Sequence, residues 1–220
     1  MRPAKRFGVL HKAAKGRLAK LRGLAVHSLS TYASDFSYCN AEISFVTIEL
    51  QSLLSNFCRS YYLSAVLHPC SEGGTRVTCH HSISSFDAAI DAAMKACKPS
   101  WWRPSPVPRH WNRRDEPPWH QPDTLLKSSR EISHSYYSNI SAALSLPTSV
   151  FSHLVVFRNF FAHRSDSTCQ EAINVAIRHY SIFSKKHPVS ILLAPALGRP
   201  QELILDWIDD VTNVIELLCL

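Results

Sequence analysis

Glycine is scarce in this chain: there are six in 220 residues, and none has the spacing of a phosphate-cradling loop. Nucleotide-binding folds built on such loops are therefore set aside. Long apolar runs are also missing. No uninterrupted stretch approaches the ~20 residues that span a bilayer, so no membrane is expected among the partners. No segment alternates apolar and polar residues in the manner of a half-buried strand, and no internal repeat is found. Serine and cysteine hydrolase signatures are absent. The seven cysteines are odd in number, and Cys39, Cys58, Cys97, Cys169 and Cys219 sit within or beside helix-like patterns. They read as small apolar core residues of a reducing, cytoplasmic compartment and not as a disulfide frame. No acidic residue precedes Asp35.

Against these absences stands a hydrophobic fraction of 45% with 19% charged residues, the balance of a soluble globular protein with a sizeable core. The net charge of +7 is concentrated in residues 1–35, where Arg2, Lys5, Arg6, Lys12, Lys15, Arg17, Lys20 and Arg22 leave a body near neutrality. This segment is a basic N-terminal arm or helix. Leu10, Ala14, Leu18, Leu21 and Ala25 recur at helical spacing, so one side can pack on the body while Lys12, Arg17 and Lys20 meet phosphates. A solvated, partly frayed terminus and a mitochondrial presequence are the other readings of the same residues.

Helical periodicity dominates residues 36–220, which are read as a single helical domain. Ile43, Val46, Leu50, Leu53, Leu54, Phe57, Tyr61 and Ala65 form one stripe over Ala41–Leu67, closed by Pro69, Gly73 and Gly74. Ser84 or Ser85 caps a shorter helix ending near Cys97. A helical pattern runs from Asp123 to Leu146. Another begins at Thr148 or Ser149, one starts at Ser167 or Thr168 and reaches Ser184, and a last one opens on Arg199-Pro200 with proline in a tolerated first-turn position. Between them, residues 99–122 hold seven of the thirteen prolines together with Trp101, Trp102, Trp111 and Trp119. This stretch is read as an ordered proline- and tryptophan-rich excursion whose rings are expected to pack on the helices. With Arg103, Arg109, Arg113 and Arg114 nearby, a base-stacking platform is the alternative.

The most informative stretch is Val155-Val156-Phe157-Arg158-Asn159-Phe160-Phe161-Ala162-His163-Arg164. Arginine and histidine are costly to bury unless paired or used. Together they can also cleave RNA without a metal, because histidine moves a proton near neutral pH and arginine holds a phosphate. On an ideal helix Asn159 and His163 share a side, whereas Arg158 and His163 lie about 140° apart. They converge if the helix unwinds at His163, or if two copies face each other. The spacing alone says little, since Arg6/His11, Arg22/His27 and Arg76/His81 match it. A structural Arg–Asn–His network is the other reading of the residues.

The Arg158-Asn159-Phe160-Phe161-Ala162-His163 run resembles the signature of the HEPN superfamily: an arginine, a polar residue, then a histidine after four to six intervening positions. Arg59-Ser60-Tyr61-Tyr62 is similar to a segment of some defence-linked members. The resemblance covers residues 40–220, apart from the proline–tryptophan excursion. It implies an all-α bundle that dimerises so that the motif helices build a composite cleft. It also implies a metal-independent endoribonuclease of a toxin–antitoxin or antiviral system. Arg158, Asn159 and His163 would be catalytic, Arg164 and Arg59 would contact RNA, and an antitoxin or defence-system protein would be a partner. Catalytically silent members that bind RNA or protein form the alternative. Arg164 also reads as a favourable charge at a helix C-terminus.

Two further groups invite a metal reading. Cys70, Cys79, His80 and His81 have spacing unsuited to a structural zinc site. Asp206, Asp209 and Asp210 could bind magnesium, but Asp206 and Asp210 around Trp207 read better as the solvated side of the last helix. No metal or cofactor is expected.

Overall fold

The computed structural model describes residues 1–80, 82–98 and 112–220. Among them all regular structure is helical: α1 (Phe7–Thr31), α2 (Phe36–Ser64), α3 (Phe86–Cys97), α4 (Pro122–Glu131), α5 (Tyr137–Leu144), α6 (Val150–His163), α7 (Asp166–Tyr180), α8 (Pro188–Leu192) and α9 (Leu203–Cys219). No helix among the described residues is long and apolar enough to cross a membrane. Trp101, Trp102, Trp111, Arg103, Arg109 and His81 lie outside the described residues.

The expected stripes are buried. Leu10, Ala14, Leu18, Leu21 and Ala25 of α1 are all in the core, as are Ile43, Val46, Leu50, Leu53, Leu54, Phe57, Tyr61 and Ala65 of the second stripe. At about 1.5–3 kcal/mol for each fully buried large aliphatic side chain, such stripes decide which side of each helix faces inward. Burial pushes the thiols of Cys58 and Cys219 up to about 12, so neither is a nucleophile near neutral pH.

The chain divides into two compact units. The first comprises Met1–Ala14, Leu54–Pro147 and Val214–Leu220. At its centre Tyr61 is stacked between Phe7, at 4.3 Å between ring centroids, and His134, at 5.7 Å. The His134 imidazole accepts the Tyr136 amide at 3.1 Å through Nδ1, and burial lowers its pKa to about 4. Trp119 is 2% exposed and lies 5.1 Å from Tyr62. The described end of the excursion therefore packs inward, and Trp119 offers no free face to a base.

One helix expected over Asp123–Leu146 is two. α4 and α5 are separated by Ser133 in the left-handed region (φ 52°). Neither glycine nor proline marks the break. The His134 amide reaches the Ser129 carbonyl at 2.9 Å as its ring turns into the core.

The second unit comprises Lys15–Leu53 and Thr148–Asn213. Here α6 packs on α7, and α7 on α8. Ser165 caps α7 by accepting the Thr168 amide at 3.3 Å, so that helix starts at Asp166 and ends at Tyr180, short of Ser184. Pro188 opens α8, whose N-cap His187 accepts the Val189 amide at 3.2 Å. Pro200 does not open the last helix. The Leu203 amide first bonds to the Ala194 carbonyl at 3.0 Å, and α9 begins there.

Candidate functional site

α6 is fixed along its inner side. Val150, His153, Leu154, Phe157, Phe160 and Phe161 are buried, spaced by three and four residues. Thr148 accepts the Val150 amide at 3.2 Å and donates to Asp210. Phe157 meets Trp207 edge to face at 5.3 Å. The Tyr180 hydroxyl is a hub at the same N-terminal end of the helix. It lies 2.8 Å from His153 Nδ1, 2.7 Å from Ser149 Oγ and 3.0 Å from the Trp207 Nε1 donor.

The outer side carries Ser152, Val155, Val156, Asn159 and His163, all partly or wholly exposed. Asn159 and His163 thus share a face, as their spacing of four requires. Arg158, one position round, is half-buried, and its Nη1 donates to Asn159 Oδ1 at 3.5 Å, a long contact. Among the described residues no carboxylate lies within ion-pair distance of Arg158, and the His163 ring makes no hydrogen bond. His163 is the last residue of α6, still helical. The reversal comes one residue later, at Arg164 (φ 49°), whose amide bonds the Phe160 carbonyl at 2.6 Å. Unwinding therefore starts too late to swing His163 toward Arg158, and the separation of about 140° stands within one chain.

Arg164 occupies the helix C-cap and donates to Ser44 Oγ at 3.2 Å. The ring of His187, the N-cap of α8, lies 5.5 Å from Phe160 and 5.2 Å from Phe36. Burial first, and the Arg164 charge second, lower the His187 pKa. Neither His187 nor Phe36 stands out in the sequence. Only the Lys185-Lys186-His187 run, following a serine break, hints at a feature there.

Arg59, the other arginine expected at RNA, is engaged elsewhere. It grips Glu116 through both Nε (2.6 Å to Oε2) and Nη2 (2.7 Å to Oε1). Glu116, whose side chain is 1% exposed, also accepts from Arg113 at 2.9 Å and from Trp119 Nε1 at 2.8 Å. Burial alone would raise the Glu116 carboxyl, but the Arg59 and Trp119 hydrogen bonds and the two guanidinium charges outweigh it and hold its pKa below the usual value. On α1, Lys12 and Lys20 are exposed, while Arg17 pairs with Glu49 at 2.8 Å.

The aspartates of α9 tie helices together. Gln201 donates to Asp206 at 2.9 Å and to Asp209 at 2.7 Å, Arg22 pairs with Asp209, and Asp210 receives Thr148. Among the described residues no three histidine, cysteine or carboxylate side chains stand together in a way that holds a metal ion.

No family model, curated protein or solved structure matches this chain.

Proposed function

We propose that the chain is a metal-independent endoribonuclease of the HEPN type, acting in toxin–antitoxin or antiviral defence, with Arg158, Asn159 and His163 as its reactive set. The observation that carries this reading is the state of α6: a helix pinned by its inner side keeps a half-buried arginine without a carboxylate and an exposed histidine without a hydrogen-bond partner among the described residues. Groups that serve only packing are normally paired.

RNA supplies its own nucleophile. The 2′-oxygen attacks phosphorus, forming the P–O2′ bond as the P–O5′ bond breaks. His163 accepts the 2′-hydroxyl proton or, when protonated, delivers one to the departing 5′-oxygen. Arg158 stabilises the charge that grows on the phosphoryl oxygens, and Asn159 orients the histidine. Because Arg158 and His163 diverge on one regular helix, the reading requires two copies whose α6 helices face each other, a homodimer with a shared cleft. That same divergence favours a second reading, a catalytically silent module that binds RNA or a neutralising partner protein.

Incubating the protein with end-labelled RNA in excess EDTA separates the two. The nuclease reading expects 2′,3′-cyclic phosphate and 5′-hydroxyl ends, and no cut at a nucleotide carrying a 2′-deoxy substitution. Cleavage that needs magnesium, or that proceeds at the deoxy position, would exclude 2′-hydroxyl attack by this set. Light scattering showing only monomer at micromolar concentration would remove the composite cleft.

A further inference from the structure

Phe183 and Leu197 are, among the described residues, the most exposed large apolar side chains of the second unit, at 70% and 81%. Neither is exposed through fraying. α7 ends on Ser181 in the left-handed region (φ 56°), whose amide reaches back to the Ala176 carbonyl in the six-residue closure that terminates many helices, and the Ile182 amide bonds the same carbonyl at 3.1 Å. Ile182 is buried and anchors the chain from which Phe183 projects. Leu197 sits in a turn closed by the Arg199 amide on the Ala196 carbonyl at 3.0 Å. Gly198 supplies the positive φ of 75° that the third turn position requires. The Leu197 amide is itself held by the Tyr180 carbonyl at 3.0 Å.

The two turns border an open groove of about 550 Å³ with an apolar floor and walls, including Ile182 and Pro195, and with Lys185 and Arg199 on its rim. No carboxylate lines it. Lys186, beside it in sequence, is exposed, and neither lysine makes an ion pair among the described residues.

Large apolar side chains held rigidly outward around a groove mark an interaction site. Apart from Phe183 the lining holds no aromatic ring, which gives a base no second face to stack on but suits the side chains of a protein segment. The rim carries charge of one sign. We propose that this groove receives an acidic amphipathic segment of a partner protein, its apolar side seated between Phe183 and Leu197 and its carboxylates on Lys185, Lys186 and Arg199. The inference stands apart from the reading of α6 as a nuclease helix.

Panning a random peptide display library on the full chain, with counter-selection on the F183S/L197S double variant, tests it. Enriched peptides are expected to combine acidic residues with apolar residues at helical spacing. Synthetic copies should bind the F183S/L197S variant about tenfold or more weakly than the parent. The K185E/R199E variant should lose the acidic peptides and, panned in turn, select basic ones. Because that variant alters only rim charges, it decides alone if the serine variant folds poorly. Enrichment of basic or uncharged peptides, no enrichment at all, or equal binding to parent and variants overturns the proposal. So does loss of affinity for a fluorescein-labelled single-stranded RNA through F183S/L197S, which would assign the groove to nucleic acid.

Discussion

Each compact unit sets an arginine and a histidine against apolar helices, and the two sets, Arg59 with His134 and Arg158 with His163, are partnered in opposite ways. In the first, Arg59 is locked onto Glu116 by two hydrogen bonds, and His134 is stacked on Tyr61 inside the core. In the second, Arg158 has only the Asn159 carbonyl at 3.5 Å, and His163 stands exposed at the end of its helix. The residue types are the same, and each arginine lies on a helix. What separates the two sets is the partner: Arg59 has a buried carboxylate and His134 an aromatic face, whereas among the described residues Arg158 and His163 have neither.

That contrast breaks first at Arg158. Arg158→Ala should lower RNA cleavage by about 10²–10³-fold, the loss typical of removing one donor to a developing oxyanion, and should leave the melting temperature nearly unchanged. A thermal scan showing a large drop with cleavage per folded molecule intact would move Arg158 into the structural class.

The mirror experiment is Arg59→Ala. Removing one partner of a buried ion pair should destabilise the protein by about 3 kcal/mol, or about 6–12 °C in melting temperature. Cleavage per folded molecule should persist. Chemical denaturation reads the first quantity and a labelled RNA assay the second. A stable Arg59→Ala protein that no longer cuts would place Arg59 at the substrate.

The histidines give a pH version of the comparison. The folded pKa of His134 is about 4, below its ordinary 6.5. The unfolded chain therefore takes up a proton that the folded one refuses, and stability falls as pH drops from 6.5 to 4. The contribution lost is about 3 kcal/mol. A His134→Phe protein, which keeps an aromatic ring against Tyr61, should show a flatter stability profile over that window and the same profile above it. Parallel curves for the two proteins would show that His134 titrates normally.

Asn159→Ala is expected to give the smallest effect, less than about tenfold in rate, if the amide only orients His163. A loss as deep as that of Arg158→Ala would instead make Asn159 a direct contact of the reacting phosphate.

Much of the fold could be read from apolar spacing, because a 3.6-residue stripe has one way to hide. Every residue of the α1 and α2 stripes is buried, and Ser85 caps the helix that follows it; α7, expected to start at Ser167 or Thr168, is instead capped by Ser165. The break at Ser133 could not be read. It is imposed by the descent of His134 onto Tyr61, a contact 73 positions apart in sequence. The Arg59–Glu116 pair was invisible for the same reason, and with it the commitment of Arg59. At the motif, helix geometry already set Asn159 and His163 on one side and Arg158 apart. Only the structure places the helix end at Arg164 and so keeps the divergence.

The most direct test of the account is His163→Ala, with RNA cleavage and melting temperature measured on one preparation. His163 is exposed and terminal in α6, so its removal should leave the melting temperature unchanged. Cleavage should fall by about 10²–10⁴-fold, the value of a positioned proton-transfer group. A folded His163→Ala protein that cuts RNA at the wild-type rate would contradict the assignment of catalysis to this helix.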